Sequence, residues 1–415
     1  MKVKVSPSRI HGSVSAVPSK SHAHRLLIAA ALADGESKVI CPAVSRDIEA
    51  TAECLNALGA TVTRTEYGYL VHPVTAPPAS ALLDCGESGS TLRFLLPVAC
   101  ALGTTATFTG QGRLPSRPVK ELAAALRKGG AEVGADSLPL VTGGKLSGAE
   151  FEVDASVSSQ YVSGMLFALA ATGKRCVLRT TGTPVSRGYT EMTLNALALF
   201  GKRVEEDDGV YILPAGRLHS PGELRAEGDW SSAAFMLAAG ALAGDVTVTG
   251  LNADSAQRDK AIADILAKMG ADVTSEKDAC TVRAGRLVPV EADMEDTPDL
   301  APVLSVVMAA AEGRSVMTGV GRLKDKESDR LAAIVSNLAA MGVATETDGD
   351  TLTIYGGKIR PFAAHGRKDH RMVMSAAVAG LVAGGTVDDA EAVAKSYPSF
   401  FEDLRTLGGH ADETV

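Results

Sequence analysis

The sequence predicts an α/β fold of two domains, each built from three copies of one βαβαββ unit. The chain has 415 residues, which is long for a single hydrophobic core. One order of segments recurs six times, about 70 residues apart. It consists of a polar cluster, a small-residue apolar helix, a glycine, a β-branched stretch, a second helix and a closing glycine. Six copies divide naturally as three plus three, with the two domains linked by a two-strand hinge.

Glycines mark this repeat in two independent registers. One set closes the first helix of each copy: Gly35, Gly103, Gly173, Gly244, Gly313 and Gly385. Another set closes the second helix: Gly59, Gly130, Gly201, Gly270, Gly342 and Gly409. Because both sets keep the same period, the chain is predicted to be a tandem array of one supersecondary unit.

The third copy shows the elements of the unit most clearly. A polar cluster precedes the apolar helix Val162–Ala171, Gly173 ends that helix, and Cys176–Leu178 is a predicted strand. A second polar cluster opens a helix that runs to Phe200, and residues 203–212 are predicted to form a hairpin. A leading strand supplied by the preceding copy completes the βαβαββ order.

Packing requirements place these elements in layers. Parallel strands joined by helices need both sheet faces covered. We therefore expect the apolar first helices at the centre of each domain, and amphipathic second helices such as Val119–Lys128 and Ile262–Lys268 on the outside.

The chain order sets the predicted domain boundaries. The N-terminal domain is predicted over residues 18–226, and the C-terminal domain over residues 227–415 together with 1–17. The opening strand Met1–Val5 is predicted to pair with the last copy, since a lone strand needs partners.

Composition restricts the class of protein. The 41 basic and 49 acidic residues give a net charge of −8, which argues against general nucleic-acid binding but allows a local anion pocket. The apolar helices are too short to span a bilayer, and no signal segment is expected at the N-terminus. These features predict a protein without membrane or nucleic-acid partners. A cytoplasmic location and a monomeric state are also expected.

The cysteines show no metal-binding or disulfide spacing. No CxxC pair occurs among Cys41, Cys54, Cys85, Cys100, Cys176 and Cys280. Most of them lie in apolar segments, so we expect buried, reduced thiols and no metal site.

Cations recur at predicted helix starts, where the helix dipole disfavours them. Lys20, Arg25 and Arg371 lie in the starts or first turns of first helices. Each second helix is preceded or opened by a cation: Arg46, Arg117, Arg187, Arg258, Arg330 and Lys395. An anion bound between the side chains and the helix ends would explain this pattern.

Other interpretations of the helix starts stay open. Arg46, Arg187 and Arg258 could equally be structural. Asp229 and Ser231 are expected to be helix caps, because their oxygens can accept from unpaired backbone N–H groups.

Nine short segments follow one another in the order of a known family. They are Pro18-Ser19-Lys20-Ser21 with Arg25, residues 86–93 (Gly-Glu-Ser-Gly-Ser-Thr-Leu-Arg), Arg117-Pro118, Ser158-Ser159-Gln160, Ser186 with Tyr189, Pro298-Asp299, Lys324 to Arg330, Asp369-His370-Arg371-Met372 and Lys395-Ser396-Tyr397-Pro398. They resemble the motifs of the EPSP synthase (3-phosphoshikimate 1-carboxyvinyltransferase) family over nearly the whole chain.

The resemblance implies a fold, a reaction and two substrates. The family fold is an inside-out α/β barrel of three βαβαββ units in each of two domains. The implied reaction joins phosphoenolpyruvate to the 5-hydroxyl of shikimate 3-phosphate and releases phosphate through a tetrahedral adduct, in chorismate and aromatic amino-acid biosynthesis. It implies no metal or organic cofactor, and closure of the domains on the substrates.

The resemblance also assigns roles to residues. Asp299 would take the 5-hydroxyl proton, and Glu327 and Lys20 would move the proton at the methylene carbon. Phosphoenolpyruvate would be bound by Lys20, Gly89, Arg117, Gln160, Arg330, Arg371 and Lys395. Shikimate 3-phosphate would be bound by Lys20, Ser21, Arg25, Ser158, Ser159, Gln160, Ser186, Tyr189, Asp299, Arg322 and Lys326. His370 would orient Arg371 or donate to phosphate, with a purely structural role as the alternative.

The Gly89 loop carries the main departures from the family pattern. Gly89 would leave room at the phosphoenolpyruvate phosphate, where the alanine of some glyphosate-tolerant relatives would intrude, so glyphosate sensitivity is expected. The departures are Glu87, Ser90 and Phe94 in and beside this loop, and Arg322.

Three alternative functions are weaker. An enolpyruvyl transferase acting on UDP-N-acetylglucosamine would carry a reactive cysteine in the 110–118 loop, which has none. A non-catalytic anion-binding relative could dispense with Asp299 and Glu327, which are present. An RNA-end-processing cyclase would need a basic surface and a nucleophilic histidine motif.

Overall fold

A computed structural model describes residues 1–43 and 45–414 of the chain. The chain divides into two compact units, Met1–Ser19 with Glu227–Val415, and Lys20–Ala226. We name the first the terminal unit, because it contains both chain ends, and the second the inserted unit. The chain passes from one unit to the other after Ser19 and again after Ala226.

Helices and strands alternate along the chain. The helices are α1 (Lys20–Ala31), α2 (Arg46–Ala57), α3 (Gly89–Leu102), α4 (Lys120–Lys128), α5 (Ser159–Ala171), α6 (Arg187–Leu199), α7 (Trp230–Ala243), α8 (Ala261–Lys268), α9 (Ala301–Ala310), α10 (Arg330–Ala340), α11 (His370–Ala383) and α12 (Phe400–Thr406). The strands of the first half are β1 (Lys2–Ser6), β2 (Ile10–Ser15), β3 (Ser37–Ile40), β4 (Thr61–Thr65), β5 (Gly68–His72), β6 (Ser80–Asp84), β7 (Thr105–Thr109), β8 (Ala131–Val133), β9 (Leu140–Gly144), β10 (Glu150–Asp154), β11 (Cys176–Thr181), β12 (Glu205–Asp207), β13 (Val210–Leu213) and β14 (Glu223–Arg225). Those of the second half are β15 (Gly244–Thr249), β16 (Asp272–Ser275), β17 (Ala279–Arg283), β18 (Glu291–Asp293), β19 (Gly313–Thr318), β20 (Ala344–Thr347), β21 (Leu352–Gly356), β22 (Phe362–Ala364), β23 (Gly385–Val387) and β24 (His410–Thr414).

The strands form six four-stranded sheets within the described residues, three in each unit. In the sheet β6-β7-β9-β8, β6 pairs parallel with β7, and the two remaining pairings are antiparallel. The same pattern occurs in β10-β11-β13-β12, β14-β3-β5-β4, β2-β15-β17-β16 and β18-β19-β21-β20. One parallel crossover followed by a hairpin is the predicted βαβαββ plan.

The sixth sheet is completed by the start of the chain. Its order is β22-β23-β1-β24, and β1 pairs antiparallel with both β23 and β24. Val3 lies opposite Val387 on one side and Glu413 on the other. This pairing confirms the predicted partner of the opening strand.

The leading strands of the first and fourth copies are exchanged. β2 precedes α1 in sequence but pairs parallel with β15 of the fourth copy. β14 precedes α7 but pairs parallel with β3 of the first copy. The expectation that every leading strand comes from the preceding copy is therefore wrong at these two positions. The exchange leaves each unit with three complete sheets, so the strand hydrogen bonds are satisfied inside the unit.

The first helices form the core of each unit, as predicted. Nearly every residue of α3, α5, α7 and α11 is buried. In the inserted unit the rings of Phe94 and Phe167 pack edge-to-face at 6.0 Å, and in the terminal unit Phe235 and Phe400 do so at 6.4 Å. The second helices are amphipathic: α4 buries Leu122 but exposes its basic residues.

Glycines end most second helices as predicted. Gly59, Gly130, Gly201, Gly270 and Gly342 all have φ between 77° and 97°, the left-handed region that favours glycine at a helix end. The sixth copy differs by one residue. There Gly408, with φ of 97°, takes this conformation, and Gly409 does not.

The remaining composition-based expectations can be compared with the structure. All six cysteines are buried and unpaired, as predicted. No helix within the described residues is both long and apolar enough to cross a membrane.

Candidate active site

Lys20 and Asp47 form an ion pair at two helix starts of the inserted unit. Lys20 begins α1, and its Nζ lies 2.8 Å from the Asp47 carboxylate in the first turn of α2. Asp47 offsets the unfavourable position of a lysine at a helix N-terminus and fixes the direction of its amine. The two residues are 27 positions apart, and the sequence analysis did not select Asp47.

Arg25 is buried in the inserted unit and bonded to neutral groups. Its guanidinium donates to the hydroxyl of Thr193 at 2.8 Å and to the carbonyls of Ser21 and Tyr189 at 2.6 and 2.8 Å. It also lies over the ring of Phe94, 5.0 Å from the centroid. Burial lowers the pKa of Arg25 to about 9. Arg25 therefore ties together the backbone of Ser21 and Tyr189, two predicted ligands of shikimate 3-phosphate.

Gln160 is held on both sides of its amide. Its Oε1 accepts from Arg93 at 2.7 Å, and its Nε2 donates to Ser90 at 2.9 Å. Arg93 also donates to the carbonyl of Pro118 at 3.1 Å, and the Tyr161 hydroxyl donates to the same carbonyl at 2.7 Å. This network connects Gln160 to the segment that follows Arg117. Arg93 appeared in a sequence motif but was not among the predicted site residues.

Gly89 lies directly against Arg117. A methyl group at Gly89 would place its carbon 2.7 Å from Nη1 of Arg117, a distance that real contacts do not reach. Arg117 itself is buried. An alanine at this position would thus displace the arginine predicted to bind phosphoenolpyruvate, a contact that the sequence could not show.

Serines define two further helix starts in the inserted unit. Ser158 caps α5, where its hydroxyl accepts from the N–H of Gln160 at 3.3 Å. Ser159 begins this helix and is buried. Ser186 precedes α6, is buried, and has a left-handed backbone with φ of 51°. A non-glycine residue in this conformation is uncommon outside functional sites and turns.

Arg330 lies at the centre of a carboxylate cluster in the terminal unit. It begins α10 and donates to Asp299 at 2.8 Å, to Glu327 at 2.7 Å and to Asp369 at 2.8 Å. Burial alone would lower the pKa of Arg330, but the three carboxylates outweigh burial and raise it. Asp369 also caps α11 and accepts from Ser328 at 3.0 Å. We call Asp299, Glu327, Asp369 and Arg330 the carboxylate cluster.

Asp299 is the carboxylate with the most cationic neighbours. Besides Arg330, it contacts Nη2 of Arg371 at 3.1 Å and Nζ of Lys326 at 3.7 Å. Burial would raise the pKa of Asp299, but Arg371, Lys326 and Arg330 hold it well below its usual range. Burial lowers the pKa of Lys326, against the charge of Asp299. An ionised acid at this position can accept a proton once its cations are drawn elsewhere.

The remaining predicted ligands of the terminal unit have backbone partners. Lys395 is buried and donates to the carbonyl of Lys368 at 2.7 Å. Arg322 donates to the carbonyl of Glu295 at 2.9 Å. His370 is buried at the start of α11, and its Nδ1 lies 3.8 Å from Asp369.

The cations of the second helices fall into two groups. Arg117, Arg330 and Lys395 are buried, whereas Arg46, Arg187 and Arg258 are exposed. Arg187, for example, forms a 3.4 Å ion pair with the surface carboxylate of Glu206. All three buried residues are predicted ligands of phosphoenolpyruvate, and none of the three exposed ones is. Exposure therefore distinguishes the two groups, which their positions in the sequence could not do.

The predicted site residues therefore gather at helix starts in each unit. The inserted unit contains Lys20, Ser21, Arg25, Gly89, Arg117, Ser158, Ser159, Gln160, Ser186 and Tyr189. The terminal unit contains Asp299, Arg322, Lys326, Glu327, Arg330, Arg371 and Lys395. In the described parts of the chain, no group of three or more histidine, cysteine or acidic side chains is arranged to hold a metal ion. The arrangement suits an anionic ligand and proton transfer.

Comparison with known proteins gives a consistent result. The family model for EPSP synthase (3-phosphoshikimate 1-carboxyvinyltransferase) matches residues 5–404. The chain is 38% identical over 430 aligned positions to the 3-phosphoshikimate 1-carboxyvinyltransferase of Methanocorpusculum labreanum, covering 100% of both chains. It is 39% identical to that of Halobacterium salinarum strain R1, covering 99% of this chain and 100% of the other.

Solved structures share the architecture. EPSP synthase from Acinetobacter baumannii superposes with a TM-score of 0.83 at 25% identity, covering 99% of this chain and 100% of the other. The enolpyruvyl transferase NikO from Streptomyces tendae has the same fold, with a TM-score of 0.79 at 20% identity over 100% of this chain and 98% of the other. The match of the family model over most of the chain, and the full-length identity to the two archaeal enzymes, show that this chain belongs to the EPSP synthase family.

Proposed function

We propose that the chain transfers the enolpyruvyl group of phosphoenolpyruvate to the 5-hydroxyl of shikimate 3-phosphate, releasing phosphate. Membership of the family gives the reaction. The main structural support for this reaction is the position of Asp299. It is an ionised carboxylate that lies near Glu327 and among Arg330, Arg371 and Lys326. Acid groups held among cations in this way suit proton transfer between anionic substrates.

The two substrates place different demands on the cations. Phosphoenolpyruvate carries a carboxylate and a phosphate, which suit the planar forks of Arg117, Arg330 and Arg371, with Lys20, Gln160 and Lys395 as further donors. Shikimate 3-phosphate presents hydroxyls, a ring carboxylate and one phosphate, which suit the hydroxyls and amines of Ser21, Ser158, Ser159, Ser186, Tyr189 and Lys326. Arg25 contributes by fixing the backbone of two of these residues.

The chemistry is an addition followed by an elimination. The 5-hydroxyl oxygen bonds to C2 of phosphoenolpyruvate while Asp299 takes the hydroxyl proton. The C3 methylene gains a proton from Glu327 or Lys20, which gives the tetrahedral adduct. The residue that gave this proton then takes one back from the new methyl group as phosphate departs, which restores the double bond, and the hydroxyl proton on Asp299 passes to the departing phosphate. Atoms balance without any additional reactant.

Substrate binding would itself activate Asp299. In the structure described here Arg371, Lys326 and Arg330 stabilise its charged form, which makes it a weak base. When the anionic substrates engage these cations, their charge is shared and the pKa of Asp299 rises toward the operating pH. Proton transfer is thereby coupled to occupancy of the site.

One assay tests the proposal. Purified protein is given phosphoenolpyruvate with shikimate 3-phosphate, and separately with UDP-N-acetylglucosamine, while phosphate release is followed. We expect release with shikimate 3-phosphate only, and loss of release in Asp299→Asn. Release with UDP-N-acetylglucosamine alone would reassign the acceptor. Binding of both substrates without release by the folded wild-type protein would overturn the catalytic proposal.

A further inference from the structure

Asp259 is a buried acid of the terminal unit that the proposed chemistry does not use. Asp259 lies in the short turn Arg258–Lys260 that precedes α8, and only 2% of its surface is exposed. Its carboxylate accepts a short hydrogen bond from the hydroxyl of Ser231, in the first turn of α7. Capping of α7 is performed by Asp229, whose carboxylate accepts from Ser232, so the sequence-based expectation of a cap role for Ser231 is wrong.

Ser231 links this acid to the predicted site. The carbonyl of Ser231 accepts from Nη1 of Arg371 at 3.4 Å. The same guanidinium donates to the carbonyl of Asp299 at 3.3 Å and to its carboxylate at 3.1 Å. A continuous chain of contacts therefore runs from Asp259 through Ser231 and Arg371 to Asp299, and it connects the fourth, sixth and fifth copies of the repeat.

Asp47 of the inserted unit occupies the same place in the first copy of the repeat as Asp259 does in the fourth copy, but its partner differs. Both acids follow an arginine at the start of a second helix, and both contact the start of the preceding first helix. Asp47 is paired there with the amine of Lys20. Asp259 contacts a hydroxyl instead, so its charge is not directly neutralised at this position.

Several charged groups surround Asp259. Burial and the nearby Asp299 raise the pKa of Asp259 to about 7, against the smaller influence of Arg371, and Asp229 adds to the increase. Within its own turn, Arg258 is exposed and Lys260 donates to the carbonyl of Ala253 at 3.1 Å. Asp259 and Asp299 thus compete for one guanidinium, and below about pH 7 Asp259 is the acid of the two that carries a proton.

From this geometry we propose that Asp259 is a positioning residue that holds Ser231 and, through its carbonyl, directs the guanidinium of Arg371 onto the phosphoenolpyruvate subsite. The inference rests on the proposed function, because it assigns Arg371 to that substrate. The neutral acid anchors the serine without adding negative charge to the subsite. Loss of its proton places a second anion behind Arg371, which weakens the binding of an anionic substrate.

The proposal predicts a selective effect of two variants and no such effect of a control variant, all measured with the full-length protein. In Asp259→Ala, KM for phosphoenolpyruvate at pH 6 should rise about 10-fold, the equivalent of one lost hydrogen bond. KM for shikimate 3-phosphate should change less than about 2-fold, because most of its predicted ligands belong to the inserted unit. Ser231→Ala should raise the same KM by a smaller factor. Ser305→Ala is the matched control, since that buried hydroxyl bonds to the carbonyl of Pro302 within its own helix.

The conservative variant separates positioning from simple structural support. Asp259→Asn keeps an oxygen that accepts from Ser231, so it should restore near wild-type KM at pH 6. In the wild type, kcat/KM for phosphoenolpyruvate should fall as pH rises through about 7, and this fall should be absent in Asp259→Asn.

Three results would overturn the inference. They are an unchanged KM for phosphoenolpyruvate in folded Asp259→Ala, equal increases of KM for both substrates, or a pH profile of Asp259→Asn identical to that of the wild type. If Asp259→Ala does not fold, Asp259→Asn and Ser231→Ala decide the question. Failure of the proposed function can be distinguished from failure of this inference, because in that case the wild type would release no phosphate either.

Discussion

The two units share one repeat plan, but the partners of two buried arginines in one differ from those of two in the other. In the inserted unit Arg25 and Arg93 donate to neutral carbonyl, hydroxyl and amide oxygens. In the terminal unit Arg330 donates to three carboxylates, one of which, that of Asp299, also accepts from Arg371. The partners named for the two inserted-unit arginines are thus neutral, whereas those of the terminal-unit arginines include the carboxylates that we propose as proton acceptors. One fold can provide both arrangements because only the residues at the helix starts need to differ.

The largest expected effect concerns the proton acceptor. Asp299→Asn preserves shape and should lower kcat for phosphate release by about 10³- to 10⁴-fold, since the amide cannot accept the hydroxyl proton. Thermal unfolding by circular dichroism should show a folded protein. A variant with kcat within 10-fold of the wild type would assign the base to another residue.

The contrast between the units is tested most directly by replacing one buried arginine in each. Arg330→Met leaves Asp299, Glu327 and Asp369 close together without their common cation, and should lower the free energy of unfolding by about 3–5 kcal/mol at pH 7. Arg25→Met leaves only neutral acceptors, and should cost about 1–3 kcal/mol. Urea unfolding measures both values, and equal losses would contradict the comparison.

Acid should reduce the first of these losses. The pKa values of Asp299 and Asp369 are lowered in the folded wild type, so the stability that they contribute is present above their unfolded pKa near 4 and is lost as pH falls below it. Without Arg330 this contribution is missing at neutral pH as well. The stability difference between Arg330→Met and the wild type should therefore be largest above about pH 5 and decrease toward pH 3. A pH-independent difference would show that the carboxylates are not the cause.

A smaller effect is expected at Gly89, beside the arginine of the inserted unit that we predict to bind phosphoenolpyruvate. Gly89→Ala should displace the guanidinium of Arg117, and should raise KM for phosphoenolpyruvate about 10-fold. Inhibition by glyphosate should weaken by a larger factor than substrate binding. Steady-state kinetics with and without glyphosate measures both quantities, and an unchanged KM would mean that Arg117 moves aside without cost.

The smallest effects are expected at the exposed cations. Arg187→Ala and Arg258→Ala should change kcat/KM less than about 2-fold and the free energy of unfolding by less than about 0.5 kcal/mol, because exposed charges are screened by solvent. Lys395→Ala, in the equivalent position of the sixth copy but buried, should lower kcat/KM for phosphoenolpyruvate clearly. Similar losses in all three variants would remove the distinction between buried and exposed cations.

The repeat and the helix starts could be predicted from the sequence because both depend on local patterns. Apolar periodicity identified central helices such as α5, and capping preference identified Asp229. The family motifs selected Asp299, Glu327 and Arg330, which the structure brings into contact.

Other features depend on contacts between distant residues and left no local signal. Asp47 reaches Lys20 across 27 positions, and Asp259 reaches Ser231 across 28. The exchange of β2 and β14 could not be predicted either, because both strands alternate apolar and polar residues in the same way and either could pair with β3 or β15. Exposure, which separated Arg117 from Arg187, is likewise a property of the folded chain.

The strand exchange has a consequence for synthesis on the ribosome. Every strand of the inserted unit lies in the uninterrupted stretch from Lys20 to Ala226, so its sheets can be completed while the rest of the chain is still being made. Among the described strands, β1 and β2 are made before the inserted unit, and their partners are β23, β24 and β15. They must remain unpaired until those later strands appear. Although β1 is made before the whole inserted unit, it is thus among the last strands to become paired.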